Sequence, residues 1–171
     1  MNVGNESNTF GISFLVNRKY KQAVMNFEAA DERIWSLRMR GKFNNFTVIL
    51  VQAPNREKNK LVKDSLYDKL NQIYQRIPAN DTKIIVGNFN AKTGREGIFK
   101  PVIGSWSLHE TSNENGIRAI DFVTNNNNNM TIKSTHFPHK NYIRRVGNPL
   151  MEELIIRLTI YWHMEGLHQT L

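Results

Sequence analysis

Apolar positions along this chain recur first at every second residue and later at every third or fourth. Residues 11–17 are an apolar run of β-formers, residues 18–21 are a polar break, and residues 23–27 read as a partner strand. From Arg33 to Arg40 charged and apolar residues alternate, which predicts a strand with one face buried. Residues 41–45 supply a turn. Residues 46–51 are continuously apolar and β-rich, the pattern of a strand buried on both faces. This half of the chain predicts an antiparallel meander.

The period then lengthens. Leu61, Leu66, Leu70, Ile73, Tyr74 and Ile77 are spaced by threes, fours and one five, predicting an amphipathic helix closed by Pro78. Residues 83–86 form a short buried strand, and a loop containing several glycines follows from Gly87 to Gly104. Ile117, Ile120, Phe122 and Val123 predict a second helix, running out into asparagines 125–129 as a frayed end or loop. Residues 130–137 alternate again and read as a strand. Strands first, then strands mixed with helices, predict an α+β layered sandwich without internal linker or repeat.

A chain of 171 residues is about one domain with a sizeable core. Its 40% apolar and 10% aromatic content is that of a globular protein and argues against wholesale disorder. Charge changes the picture more. A net charge of +8 and a pI near 9.8 favour a polyanionic partner, nucleic acid or an acidic membrane surface, although a merely soluble basic protein has the same composition. The lack of cysteine excludes disulfides and cysteine-based zinc sites. The amino end is polar with no signal-peptide pattern, and no apolar run approaches a membrane span. The expected setting is therefore intracellular, with no membrane partner. Asn-x-Ser/Thr triplets begin at Asn5, Asn45, Asn80 and Asn129, and without a secretory signal they carry no weight.

Candidate chemistry gathers where the strand at 83–86 ends. Gly87-Asn88-Phe89-Asn90 puts polar side chains at the carboxyl edge of a sheet, yet alone it is also an ordinary strand-to-turn transition. Its surroundings make it specific. Val51-Gln52-Ala53-Pro54 and the helix at 61–77 precede it, and Ala91-Lys92-Thr93-Gly94-Arg95 follows directly. Then come Leu108-His109-Glu110, Ser112-Asn113-Glu114-Asn115-Gly116, Ile120-Asp121-Phe122 and Thr135-His136-Phe137-Pro138-His139-Lys140. From about Phe10 to Asn141 this order resembles the endonuclease/exonuclease/phosphatase (DNase I-like) family. The likeness is to the endonuclease domain of non-LTR retrotransposons, the branch that also gave rise to craniofacial development protein 2-like proteins.

The resemblance implies a four-layer αββα sandwich, truncated here at both ends, and a magnesium-dependent hydrolase of DNA phosphodiester bonds. In such a centre one Mg²⁺ neutralises the scissile phosphate and a carboxylate activates water. An asparagine donates to the phosphate, and an Asp-paired histidine completes the site. Carried onto this chain, the catalytic positions are Asn88, Asn90 and Gln52. Asn88 stands where the family has its aspartate, and an amide carries no charge and takes up no proton. Asn90 keeps the phosphate-donor position. Gln52 replaces the family's Tyr or His and keeps a donor without the ring. The family's metal-binding glutamate, on an earlier strand, and its terminal Ser-Asp-His have no match here.

The expectation is a catalytically inactive fragment with residual nucleic-acid binding, no bound magnesium and no other cofactor, monomeric and nuclear if it functions. The alternatives are a translated relic without a selected role, or a protein-interaction module on the same scaffold. Lys92, Arg95, Arg118 and Lys140, with Lys100, Arg144 and Arg145, are candidates for a phosphate-contacting face; such charges are otherwise simply solvated. His109, Glu110, His136 and His139 match no zinc spacing and read as ordinary histidines and their neighbour, so no metal site is expected. Asp121 reads as a structural or capping residue, and Trp35, Trp106 and Phe43 as core or turn packing.

The domain reading is a disordered amino end at 1–9, a partial domain at 10–146 and a divergent tail at 147–171. Read one nucleotide out of frame, from the last base of the Val146 codon, a choice of permitted codons turns residues 147–162 into Trp-Lys-Ser-Pro-Asp-Gly-Arg-Thr-Asn-Asn-Gln-Ile-Asp-His-Ile-Leu. That string is similar to the family's penultimate motif, so the tail is expected to be frameshifted, which sequencing of the transcript tests.

Overall fold

The computed structural model describes residues 13–55, 57–126 and 130–138, together with the backbone of two short strands outside them. Four strands form the body of one sheet: β3 (Val24–Asp31), β4 (Ile34–Met39), β5 (Phe46–Gln52) and β6 (Thr82–Asn88). The two-residue β7 (Leu158–Thr159) pairs antiparallel with the outer edge of β6. A separate ribbon joins β1 (Asn2–Val3) to β2 (Phe14–Leu15). Two helices complete the fold, α1 (Lys60–Arg76) between β5 and β6, and α2 (Glu114–Asn125) after the long loop. Among the described residues, no helix is long and apolar enough to cross a membrane.

The meander is seen in β3, β4 and β5, which pair antiparallel in sequence order, but the run at 11–17 gives only β2, which pairs with β1 and not with β3 as expected. The next pairing departs from it. β5 and β6 run parallel, with Phe46 beside Thr82 and Gln52 beside Asn88. Parallel neighbours need a crossover rather than a hairpin, and α1 supplies it.

Asn59 starts α1 by accepting from the Leu61 amide at 3.1 Å, and the helix ends one residue before Ile77-Pro78. Its buried stripe is Lys63, Leu66, Leu70, Ile73 and Tyr74. Leu61, expected on that stripe, is 73% exposed. It lies two residues before Lys63, about 200° away around the helix, so the five-residue step to Leu66 was off the face. Asn113 caps α2 through its side chain, which accepts from the Gly116 amide at 2.8 Å. Ile34, Ile49, Val51 and Ile85 from one face of the sheet join Leu66, Leu70, Ile120, Phe122 and Val123 in the main core. Tyr74 meets Phe122 edge-on at 6.0 Å.

The burial expectations for β4 and β5 are reversed. β4 buries Ile34, Trp35, Ser36 and Leu37 in succession, because it is central and Phe27 covers the Trp35 ring edge-on at 5.7 Å. β5 alternates instead, with Thr47, Ile49 and Val51 buried and Phe46, Val48 and Leu50 half-buried.

Other boundaries shift as well. The polar break is a 3₁₀ helix, Arg18–Ala23, capped by Asn17, and the following strand extends to Asp31. The strand at 83–86 takes in Gly87 and Asn88, and only Ile85 in it is fully buried. Residues 130–137 make no ladder strand. They hold one parallel bridge, Ile132 to Ile103, and then a 3₁₀ turn at Lys133–Thr135, where the Thr135 hydroxyl bonds to the Ile132 carbonyl. Asn126 is a buried helix end rather than a frayed one, held by Phe122 and Gln75. Trp35 is core as expected, whereas Phe43 is 88% exposed at its turn and Trp106 is 47% exposed. The tail at 147–171 lies outside the described residues, apart from the backbone of β7.

Candidate functional site

The parallel pairing of β5 and β6 places Gln52 and Asn88 side by side where the two strands end. The approach is close. Gly87 has φ +143°, and a Cβ there would stand 1.9 Å from the Val51 carbonyl oxygen of β5, so only glycine fits. Strand β6 then turns sharply. The Asn88 side chain accepts from the Asn90 amide at 2.9 Å, the Ala53 amide donates to the Asn88 carbonyl at 2.7 Å, and Phe89 is fully buried as an anchor. Asn90 occupies the left-handed region at φ 48°, which asparagine tolerates better than most side chains.

The Asn90 amide group is committed within the loop. Its Nδ2 donates to the Ala53 carbonyl at 2.8 Å and to Asn55 Oδ1 at 3.3 Å, while Asn115 donates to the Asn90 carbonyl at 3.0 Å. Asn113 Oδ1 accepts from Lys92, and the Asn113 amide donates to the Lys92 carbonyl, which fastens the loop to the start of α2. The site is thus a cluster of neutral amides. Gln52 is held through its backbone, its amide donating to the Arg33 carbonyl at 2.9 Å and its carbonyl accepting from Arg33 Nη1 at 3.4 Å.

Asn55, Asn113 and Asn115 organise this cluster, and sequence reasoning assigned none of them a role. Asn113 was findable, since an asparagine before an apolar-periodic segment is a helix start signal. Asn55 follows an Ala-Pro step and carries no such signal.

Two of the expected basic residues, Arg95 and Arg118, form ion pairs. Arg95 donates to the Ser107 carbonyl at 2.7 Å and pairs with Glu110 at 3.1 Å. Arg118 sits between Asp64 and Glu114, each at 2.9 Å. Burial lowers the Arg118 pKa, but the hydrogen bonds it donates to these two carboxylates outweigh it and hold the group above its ordinary value. Lys92 is half-buried and Lys100 is exposed, while Lys140, Arg144, Arg145 and His139 lie outside the described residues. Glu96 holds the loop's far side: burial pushes its pKa up, but hydrogen bonds from the Ser112 backbone and hydroxyl more than offset that, leaving it below the ordinary range.

His136 bonds to backbone carbonyls of Ile132 and Pro101, at 3.1 and 3.3 Å, so it is a packing residue. Asp121 is not a cap. It lies mid-helix and exposed, and Asn113 caps α2 instead.

Over 127 residues the chain is 32% identical to craniofacial development protein 2 of Tragulus javanicus. It is similar to that protein across 74% of its own length. The protein of the same name from Bos taurus is 31% identical over 127 residues. In both, the match spans 21% of the relative, so this chain covers about a fifth of the curated relatives it matches. No family model matches the chain. The expected likeness to craniofacial development protein 2-like proteins therefore holds at the level of sequence similarity.

Proposed function

We propose that this chain carries part of a DNase I-like endonuclease domain of retrotransposon origin that has lost hydrolysis and retains affinity for nucleic acid. One observation carries the reading: Asn88, paired with Gln52 at the ends of β5 and β6 and with Asn90 beside it, offers an amide where the family's phosphodiesterases have a carboxylate. Magnesium favours hard, anionic oxygen ligands, and a general base must accept a proton; an amide supplies neither. Among the described residues, no three acidic or histidine side chains gather as a metal ion would require. The donor set does not fit Mg²⁺.

Two features support the sandwich. The core face of the sheet is covered by both helices, and its outer face is also apolar, with Trp35, Leu37, Val48, Leu50 and Val86. A sheet apolar on both faces belongs in a layered fold rather than at a solvated edge.

Supercoiled plasmid with Mg²⁺ and a chelator control tests the reading. The chain is expected to leave the plasmid intact, and Asn88→Asp is expected to remain inactive, because one carboxylate does not make a divalent-cation site. Chelator-sensitive nicking by the unmodified chain refutes the loss of hydrolysis.

A further inference from the structure

The opposite end of the sheet carries a second surface. β4 runs from Ile34, beside Val51, to Met39, beside Phe46, so residues just after Met39 stand at the far end of the strands from Gln52 and Asn88. With seven residues in β5 the two ends are about 20 Å apart. The 3₁₀ helix Arg18–Ala23 leads into β3 at this far end, where Val24 pairs with Met39. The Arg40 amide donates to the Ala23 carbonyl at 2.7 Å, tying the helix to the β4–β5 turn.

Arg18, Lys19, Lys21, Arg40 and Lys42 are all exposed there. Among the described residues none of the five makes an ion pair, in contrast to Arg95 and Arg118. The segments that build the surface, residues 13–27 and 33–52, contain no Asp or Glu. The acid that approaches this end, Asp81, is buried and answered by Arg38 at 2.7 Å and Thr47 at 3.0 Å. Two aromatic rings stand among the cations. Tyr20 is 50% exposed and Phe43 88% exposed, with Lys19 Nζ 4.7 Å from the Tyr20 ring centroid and Lys42 Nζ 5.3 Å from that of Phe43.

We infer that this surface binds single-stranded nucleic acid, its unpaired cations contacting phosphates and Tyr20 and Phe43 stacking on bases. Unstacked bases present π-faces to exposed rings, and a polyanion answers cations that have no carboxylate partner. A lipid surface fits less well: the 3₁₀ segment is polar, with Gln22 and Asn17 around its cations, and lacks the apolar face that insertion requires. The inference shares with the proposed function only the class of partner. It uses none of the residues at the Asn88 end.

Fluorescence anisotropy with a labelled oligothymidylate, a duplex of equal length and phosphatidylserine vesicles tests it on the full chain. The wild type is expected to prefer the single strand. Tyr20→Ala with Phe43→Ala should weaken single-strand binding about fivefold or more per ring and leave duplex binding nearly unchanged. Lys19→Gln, Lys21→Gln and Lys42→Gln together should flatten the log–log salt slope by about two. All five positions are exposed, so thermal melts should match the wild type. Single-strand binding that is unchanged in both variants overturns the inference, as does binding to vesicles in preference to the oligonucleotide. Plasmid nicking refutes the loss of hydrolysis without touching this surface.

Discussion

The two ends of the β5–β6 strand pair solve the problem of polar side chains in opposite ways. At the Gln52–Asn88 end, neutral amides bond to one another and to the backbone around them, and Asn90 alone bonds to Ala53, Asn55 and, through its carbonyl, Asn115. At the other end one ion pair, between half-buried Arg38 and buried Asp81, neutralises itself, while among the described residues five exposed cations have no carboxylate to meet. The motif that resembles a nuclease lies where Asn88 and Asn90 are already hydrogen-bonded within their loop, and the exposed cations without carboxylate partners lie where the motif is absent.

The contrast breaks most violently at Gly87. Gly87→Val is expected to destabilise the chain by about 4 kcal/mol or more, or to abolish folding, since the new side chain meets the Val51 carbonyl at 1.9 Å in a left-handed backbone. Denaturant unfolding or soluble yield reads this, and a near-native midpoint would show that the strands can part without loss.

Asp81→Asn should cost about 2 kcal/mol at pH 7, read from chemical denaturation, because two charge-assisted bonds from Arg38 are weakened. The sign with pH follows from the Arg38 hydrogen bonds, which hold the Asp81 carboxyl below its ordinary range. Its contribution is whole above the unfolded carboxylate pKa of about 3.9 and is lost as pH falls through the lowered native value. The gap between wild type and variant should therefore begin to narrow below about pH 4 and keep shrinking as pH falls through the lowered native value; a gap that stays constant through strong acid contradicts this account.

Lys42→Ala should change stability by less than about 0.5 kcal/mol, since the side chain is exposed and unpaired in charge. A larger loss of melting stability would mean that the basic end is structural after all.

Periodicity located both helices, because each carries a stripe that repeats every turn and an asparagine at its start. It misjudged which strand was covered on both sides. Whether Trp35 is buried depends on Phe27 of the neighbouring strand, a contact that no window around Trp35 contains. The parallel pairing was equally hidden, since the local patterns of β5 and β6 are the same for either direction. At the site, the order of residues identified Gln52, Asn88 and Asn90 but not that the Asn90 amide is turned inward. That depends on Asn55 and Ala53, far away in the chain. The exposed cations at the far end were passed over because isolated lysines have no periodic signature, and only the Arg40–Ala23 bond assembles them.

The crossover through α1 has a consequence for how the chain reaches this state. The β3–β4 and β4–β5 hairpins close over a few residues each, whereas β6 reaches β5 only after the whole of residues 53–81 has been looped out. Closing the longer loop carries the larger entropic penalty, and non-local pairings form late. The amide cluster thus assembles on a meander already in place, and amide hydrogens along the β5–β6 seam should exchange with solvent sooner than those between β4 and β5.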